Sequence, residues 1–327
     1  MAATTDSSNN SDDLKKPKII LRTYQEQDHE SVNSLFTSVY YGLVPEGIRA
    51  KLWAPFTWIV WLGVYSALMM VVPTMFFELE EIETSWPAFF LKLGISSLWA
   101  MIGFTFLFLQ TERFQVVEEI AEAQQNDLSD PQVYYLNWTK EGGKAVRKPE
   151  SEQTPSHFWV LTVDSVVSGF VGLAHYDDRV MNRRSNPGNS FQQVASSFCR
   201  NAGLPIASIF KPSSDIRVFA EQSEPKTAVL RRLVIDNDYQ NCGLSTLMIS
   251  RALVWADEHG IEKVYAQTSE LELTAEQILT KRHGFKLVKT ERTGLLGGKR
   301  LTLVCYVKDW IKNNSDMKKS FYKPVST

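Results

Sequence analysis

The chain has 327 residues, with 35 lysines and arginines against 37 aspartates and glutamates, a formal net charge of -2. That balance excludes the broad electrostatic pull of a nucleic-acid binder, since no basic stripe appears beyond the pairs Arg183-Arg184 and Arg231-Arg232. The three cysteines, Cys199, Cys242 and Cys305, lie far apart without metal-ligand or disulfide spacing, so reduced structural thiols are expected and no metal is implied.

Residues 1–17 are polar and read as a disordered tail; without an apolar core the N-terminus predicts no cleavable signal peptide. Residues 18–48 then open a globular domain. Ile19 to Arg22 predicts a strand, and Asp28 is placed to cap a helix carrying Val32, Leu35, Phe36, Val39 and Tyr40 at helical spacing. Residues 49–115 interrupt that domain. Leu52 to Phe77 gives 26 residues without an ionisable charge, and Leu93 to Thr111 gives 19 more. At about 1.5 Å per residue each run reaches roughly the 30 Å of a bilayer core, which predicts a transmembrane helical hairpin closed by the acidic connector Glu78 to Ser85. A pair of buried core helices is the alternative. Arg49, Lys51 and Arg113 flank the outer ends against Lys92 within, which predicts a cytosolic catalytic domain; the endoplasmic reticulum or another internal membrane is the expected location. The sequons at Asn9, Asn137 and Asn313 would serve only in the reverse orientation.

Arg113 to Gln125 continues the second span as a charged helix, and residues 116–312 complete the domain. Thr139 to Ser156 is read as a loop. Trp159 to Val163 and Phe170 to His175 form a strand hairpin around Ser165 to Gly169, followed by an insertion over residues 177–226. Ala228 to Ile235 is an apolar strand, and Leu244 to His259 an amphipathic helix stopped by Gly260. Lys263 to Thr268 is another strand. Thr274 to Gln277 has capping-box spacing and opens a helix ended by Gly284. Lys286 to Lys289 and Arg300 to Lys308 are strands around a turn at Gly294 to Gly298, and residues 313–327 form a tail. The order predicts an α+β fold with a mixed, partly parallel sheet flanked by helices in three layers, interrupted by the membrane hairpin.

Between the strand and its helix lies Tyr239-Gln240-Asn241-Cys242-Gly243-Leu244-Ser245-Thr246. The first amides of a helix lack internal partners and sit at the positive end of its dipole, so a tight turn that aims them outward makes a pyrophosphate site. Gly243 lets the backbone approach. An ordinary strand-turn-helix corner remains the other reading. Cys242 reads as a small side chain in that turn rather than a covalent nucleophile, since no paired histidine is evident.

With Leu233-Val234-Ile235-Asp236 before this turn, Trp255-Ala256-Asp257-Glu258-His259-Gly260 after it and His283-Gly284-Phe285 beyond, the chain resembles the GNAT acetyltransferase superfamily. Gln240, Gly243 and Ser245 fall on its Q/R-x-x-G-x-G/A signature. A hairpin within that fold is similar to the membrane-anchored camello-like N-acetyltransferases. The resemblance implies acetyl-CoA as co-substrate, bound by Leu233, Val234 and Ile235 and by Gln240, Asn241, Cys242, Gly243, Leu244, Ser245 and Thr246. It implies direct attack of an amine on the thioester, with a small amino-acid-like or conjugate acceptor, or a protein lysine, and a lipid bilayer as the other partner.

The sequence departs from the family at two points. Thr280 stands where a tyrosine often protonates the departing sulfur, and Val229 where many relatives place a carboxylate. Glu270, Glu272 and His175 are the remaining candidate bases, each with solvated surface or ordinary packing as the alternative. Arg231 and Arg232 alternate along their strand, so one faces the cleft and suits a substrate carboxylate or a CoA phosphate, or else an ion pair with the acidic helices. A catalytically silent relative that binds acyl-CoA is the second functional reading.

Overall fold

A computed structural model describes residues 17–76, 86–142, 144–184, 217–292 and 298–322, with scattered positions between 192 and 205. In chain order the strands are β1 Ile19–Thr23, β2 Trp138–Glu141, β3 Lys144–Arg147, β4 His157–Val163, β5 Val166–Ala174, β6 Val180–Met181, β7 Val218–Ala220, β8 Thr227–Ile235, β9 Lys263–Ser269, β10 Lys286–Arg292 and β11 Lys299–Tyr306. The helices are α1 His29–Gly42, α2 Val44–Leu52, α3 Pro55–Phe76, α4 Trp86–Thr111, α5 Val117–Gln125, α6 Pro131–Tyr135, α7 Leu244–Glu258, α8 Leu273–Gln277, α9 Val307–Asn313 and α10 Ser315–Tyr322. The expected connector Glu78 to Ser85, most of the turn at Gly294 to Gly298, residues 1–16 and 323–327 of the two tails, and much of the insertion lie outside the described residues.

Seven strands form one mixed sheet in the order β1-β4-β5-β8-β9-β11-β10, antiparallel throughout except where β8 runs parallel to β9. Its central strands are buried on both faces, and alternation divides their side chains between two cores. Trp159, Leu161 and Val163 of β4 pack with Met248, Ile249, Ala252 and Leu253 of α7. Phe158 and Val160 of the same strand turn the other way, onto Phe36, Val39 and Tyr40 of α1 and Ile120 and Ala123 of α5. Each large apolar side chain so enclosed contributes roughly 1.5–3 kcal/mol, which is what holds helices on both sides of the sheet.

Five local expectations need correction. Asp28 does not cap α1; its carboxylate accepts the Gln25 amide at 2.9 Å and a two-pronged hydrogen bond from Arg22, stronger partners than a helix amide. Residues 139–156 are no mere loop, because β2 and β3 pair as a short hairpin. The turn between β4 and β5 is tighter than expected, with Asp164 and Ser165 both left-handed at φ 48° and 71°. α8 begins at Leu273 with Glu272 before it and no side-chain cap, because the Glu272 carboxylate is engaged elsewhere. Beyond β11 the strand ends at Tyr306, and α9 and α10 continue the chain.

α3 and α4 are long and apolar enough to cross a membrane, and little of either is buried. Their contact is specific. Gly103 admits the Trp61 ring, since a β-carbon there would stand 2.1 Å from it, and the Tyr65 hydroxyl meets Ser96 Oγ at 2.9 Å. The second helix does not stop at the end of its apolar stretch. It runs on through a π-helical turn, Glu112–Val116, into α5.

Candidate functional site

β8 and β9 pair for only four residues, Thr227–Leu230 against Lys263–Ala266, and then part. The peptide groups that follow on β8 have no ladder partner from β9, and a cleft of about 520 Å³ opens between the two strands. Tyr40 of α1, Gln115, Glu118, Glu119 and Glu122 from the helical stretch that continues α4, Arg231 and Arg232 of β8, and Glu270 and Glu272 beyond β9 all line it.

A bulge in β8 accompanies the parting. Arg231 pairs with Gly172 and Val234 with Phe170, so Arg232 and Leu233 together face Val171 alone. Arg232 takes the left-handed region at φ 54°, a conformation that costs a side-chain-bearing residue roughly 1–2 kcal/mol. The bulge also overturns the expected alternation: both arginines reach the cleft rather than one.

What holds the bulge is a buried ion pair. The Arg232 guanidinium, 7% exposed, grips Asp127 through Nε and Nη2, each at 2.8 Å. Asp127 is fully buried and takes a further hydrogen bond from the Tyr135 hydroxyl. Tyr135 can reach it because Gly172 has no β-carbon, which would stand 2.8 Å from the ring. Burial alone would raise the Asp127 carboxyl, but Arg232 outweighs it and holds the group below its ordinary range. The ion-pair reading is therefore the one Arg232 follows. Arg231 differs: its guanidinium donates to the Phe219 carbonyl at 3.2 Å and lies over the Phe219 and Tyr176 rings, with no carboxylate in its grip among the described residues.

Across the cleft, the Tyr40 hydroxyl donates to Glu272 Oε1 at 2.8 Å, and the Ser269 amide donates to Oε2 at 3.1 Å. Burial, with Glu119 adding repulsion, lifts the Glu272 carboxyl above the ordinary range, which improves it as a proton acceptor near neutrality. Burial and then Glu272 push the Tyr40 phenol well above its usual value, so it stays a neutral donor. Glu270, 6% exposed, accepts the Gln115 side-chain amide at 2.7 Å and the Lys299 amide at 3.0 Å.

The other two candidate catalytic residues are placed differently. His175 follows the far end of β5, where its Nδ1 meets the Thr227 carbonyl at 2.6 Å and its ring faces a separate recess with Asp177 and Glu224. Thr280 gives its hydroxyl to the Glu276 carbonyl at 2.7 Å within its own helix, and it is the neighbouring Leu279 that lines the cleft. Neither His175 nor Thr280 is brought to Glu270 and Glu272.

Following β8, Asn237–Tyr239 makes a single tight turn, after which Asn241 and Gly243 are left-handed at φ 63° and 79°. Gly243 is the residue before α7, and no side chain caps that helix. Thr246 donates back to the Gly243 carbonyl at 3.1 Å, while the amides of Leu244 and Ser245, immediately before it, precede any intrahelical acceptor. Gln240, Asn241 and Cys242 are exposed beside them. Leu233, Val234 and Ile235 thus lie along the bulged edge, and the turn from Gln240 to Thr246 follows directly.

Sequence reasoning did not find Tyr40, Gln115, Glu119 or Asp127. Tyr40 sits in an apolar helical ladder and reads as core. The acidic run Glu118-Glu119-Glu122 was the available signal, since three carboxylates on the helix following an apolar span need a reason.

The sequence profile of the acetyltransferase (GNAT) family matches residues 115–285, more than half of the chain. No curated protein matches it in sequence. Among solved structures it is similar to an acetyltransferase of the GNAT family from Staphylococcus aureus Mu50, with 9% identity, 89% of this chain and 99% of that chain covered and a TM-score of 0.39. A putative acetyltransferase of the GNAT family from Desulfovibrio desulfuricans gives 12% identity, 89% and 99% coverage and a TM-score of 0.35. The ribosomal-protein-S18-alanine N-acetyltransferase from Escherichia coli gives 12% identity, 55% and 88% coverage and 0.30.

Proposed function

Since this chain belongs to the acetyltransferase (GNAT) family, we propose that it is a membrane-anchored N-acetyltransferase of the camello-like type, moving acetyl from acetyl-CoA to a primary amine by direct attack. The observation that carries this reading is the succession, within 20 residues of one strand and its helix, of a parted ladder, a bulge and an uncapped helix start. The amides at Leu244 and Ser245 suit the pyrophosphate. The unpaired edge at Leu233 to Ile235 suits the thioester, whose carbonyl gains negative charge in the transition state and is stabilised there by a fixed amide.

Attack requires a neutral amine, and an ordinary alkylamine is almost wholly protonated at neutral pH. Glu272 is the base in this reading, because its carboxyl is raised and Tyr40 fixes its orientation. Glu270, two residues away in the same wall, holds the incoming ammonium. The proton passes to Glu272 as nitrogen bonds to the acetyl carbon; collapse of the tetrahedral intermediate then breaks the carbon-sulfur bond and releases CoA thiolate. Arg231, which has no carboxylate partner among the described residues, suits an acceptor that carries one, such as an amino acid or its conjugate. A protein lysine is the alternative acceptor. The two apolar helices supply the anchor, on an internal membrane with the cleft on the cytosolic side.

CoA-thiol release with a panel of amines, from the full chain in detergent, tests the reading. Activity that requires an amine and disappears in Gly243→Pro supports it. A second reading, a catalytically silent acyl-CoA binder, draws on Thr280 being turned into its own helix; acetyl-CoA binding without turnover of any amine would establish it instead.

A further inference from the structure

Three consecutive residues at the end of β9, Glu270, Leu271 and Glu272, form the acidic wall of the cleft, and each is held by a different part of the N-terminal segment. Glu272 takes the Tyr40 hydroxyl of α1 at 2.8 Å. Leu271, 5% exposed, lies against Gly47 of α2 so closely that a β-carbon on Gly47 would stand 2.5 Å from both Leu271 Cδ2 and Thr111 Cγ2. Glu270 takes the Gln115 amide at 2.7 Å, and Gln115 Oε1 accepts Lys51 Nζ at 2.6 Å. Lys51 is itself 2% exposed and also donates to Thr111 Oγ1 at 2.8 Å. Gln115 belongs to the π-helical turn Glu112–Val116, where the second apolar helix gives way to α5. Single π-helical turns of this kind within α-helices are frequent at functional sites.

We infer that the foot of the apolar hairpin is a built-in part of the acceptor site, with Lys51 and Gln115 acting as positioning residues that aim the Glu270 carboxylate into the cleft. The inference rests on the acetyl-transfer reading for the role of Glu270, and on geometry alone for the strut.

Three features make the strut more than an incidental contact. A buried ammonium is costly unless its donors are used, and two of the three on Lys51 have partners here. The Gln115 side chain spends its carbonyl on Lys51, so its amide group is left with only one useful direction, toward Glu270. The far oxygen of Glu270 accepts the Lys299 amide at the start of β11, so the carboxylate is fixed at both ends while its outer lone pairs stay available to a ligand. Burial lowers the Lys51 ammonium to about 8, with Glu270 opposing the drop, in keeping with an enclosed cation coupled to that carboxylate.

The test uses the full chain in lipid nanodiscs. Gln115→Glu keeps an acceptor for Lys51 but removes the donor to Glu270, Lys51→Met removes the cation, and Lys51→Arg keeps a buried cationic donor. Gln115→Glu and Lys51→Met are expected to raise the acceptor KM at least tenfold while leaving the acetyl-CoA KM within twofold. Lys51→Arg should recover most of the loss. Hydrogen-deuterium exchange should rise over residues 269–272 in Gln115→Glu and stay unchanged in α7. An unchanged acceptor KM, or a loss that follows overall melting temperature and affects both substrates alike, overturns the inference. Should the wild-type chain acetylate no amine, the proposed function fails, and exchange still decides the strut: no local rise over residues 269–272 overturns it.

Discussion

The Tyr40 hydroxyl and the Glu272 carboxylate, 232 positions apart in sequence, meet at 2.8 Å across the cleft. Glu272→Gln keeps the size and the hydrogen bond but removes the proton acceptor. Its kcat is expected to fall roughly 100- to 10,000-fold, the usual range for one general base, with acetyl-CoA affinity unchanged. Calorimetric binding beside a thiol-release assay measures both, and a Glu272→Gln enzyme with wild-type kcat would remove Glu272 from the chemistry.

Gly243 faces open space where its β-carbon would stand, yet has φ 79°. The penalty for a substitution is therefore conformational. Gly243→Val is expected to weaken acetyl-CoA about tenfold, the equivalent of roughly 1.4 kcal/mol, with a loss of overall stability no larger than about 1–2 kcal/mol. Gly243→Ala should fall between the two. Equal affinities for all three chains would detach this turn from the cofactor.

Asp127 and Arg232 are enclosed together, so taking away one partner leaves the other stranded. Asp127→Ala is expected to destabilise the protein by roughly 3–5 kcal/mol. The double variant Asp127→Leu with Arg232→Met should recover much of that loss while losing activity, because the bulge loses its clamp. Denaturant unfolding followed by tryptophan fluorescence measures the first effect. A double variant as unstable as the single one would show that the ion pair contributes more than mutual neutralisation.

His283 is 4% exposed, and neither ring nitrogen has a hydrogen-bond partner among the described residues. Burial, with Arg282 adding repulsion, lowers it to about 4 from an ordinary 6.5. Unfolded chains therefore bind the extra proton first as pH falls. Stability should drop from about pH 6.5 downward and level off below pH 4, by up to roughly 3 kcal/mol for this ring. His157, lowered to about 4 chiefly by burial, adds in the same direction. Unfolding free energies across that window, compared with His283→Leu, check the sign: the variant should show a shallower acidic loss.

The order of elements from Thr227 to Tyr306 was readable because each element announces itself locally. β8 is an apolar run, α7 has helical periodicity, and Gly243 marks their junction. The two apolar helices were equally plain, since neither Leu52 to Phe77 nor Leu93 to Thr111 holds an acidic or basic residue. The cleft was readable only in part. Glu270 and Glu272 follow a strand end, and both line the cleft; Tyr40 and Gln115 come from helical turns, and Asp127 from the turn after α5, whose contacts depend on where the chain returns after more than a hundred residues. The bulge is the clearest loss. A period-two reading of Arg231 and Arg232 sends them to opposite faces, and only the left-handed turn at Arg232, sustained by Asp127, brings them together.

Trp86 to Gln125 forms one continuous 40-residue helical mast that passes through the π-helical turn Glu112–Val116 and is about 60 Å long at 1.5 Å per residue. The flank from Gln115 to Glu122 on this mast is also a wall of the cleft. Under the proposed anchoring, no swivel joint would separate lipid from chemistry. The opening would then keep a fixed height and bearing above the bilayer, where it would meet amines gathered beside the headgroups.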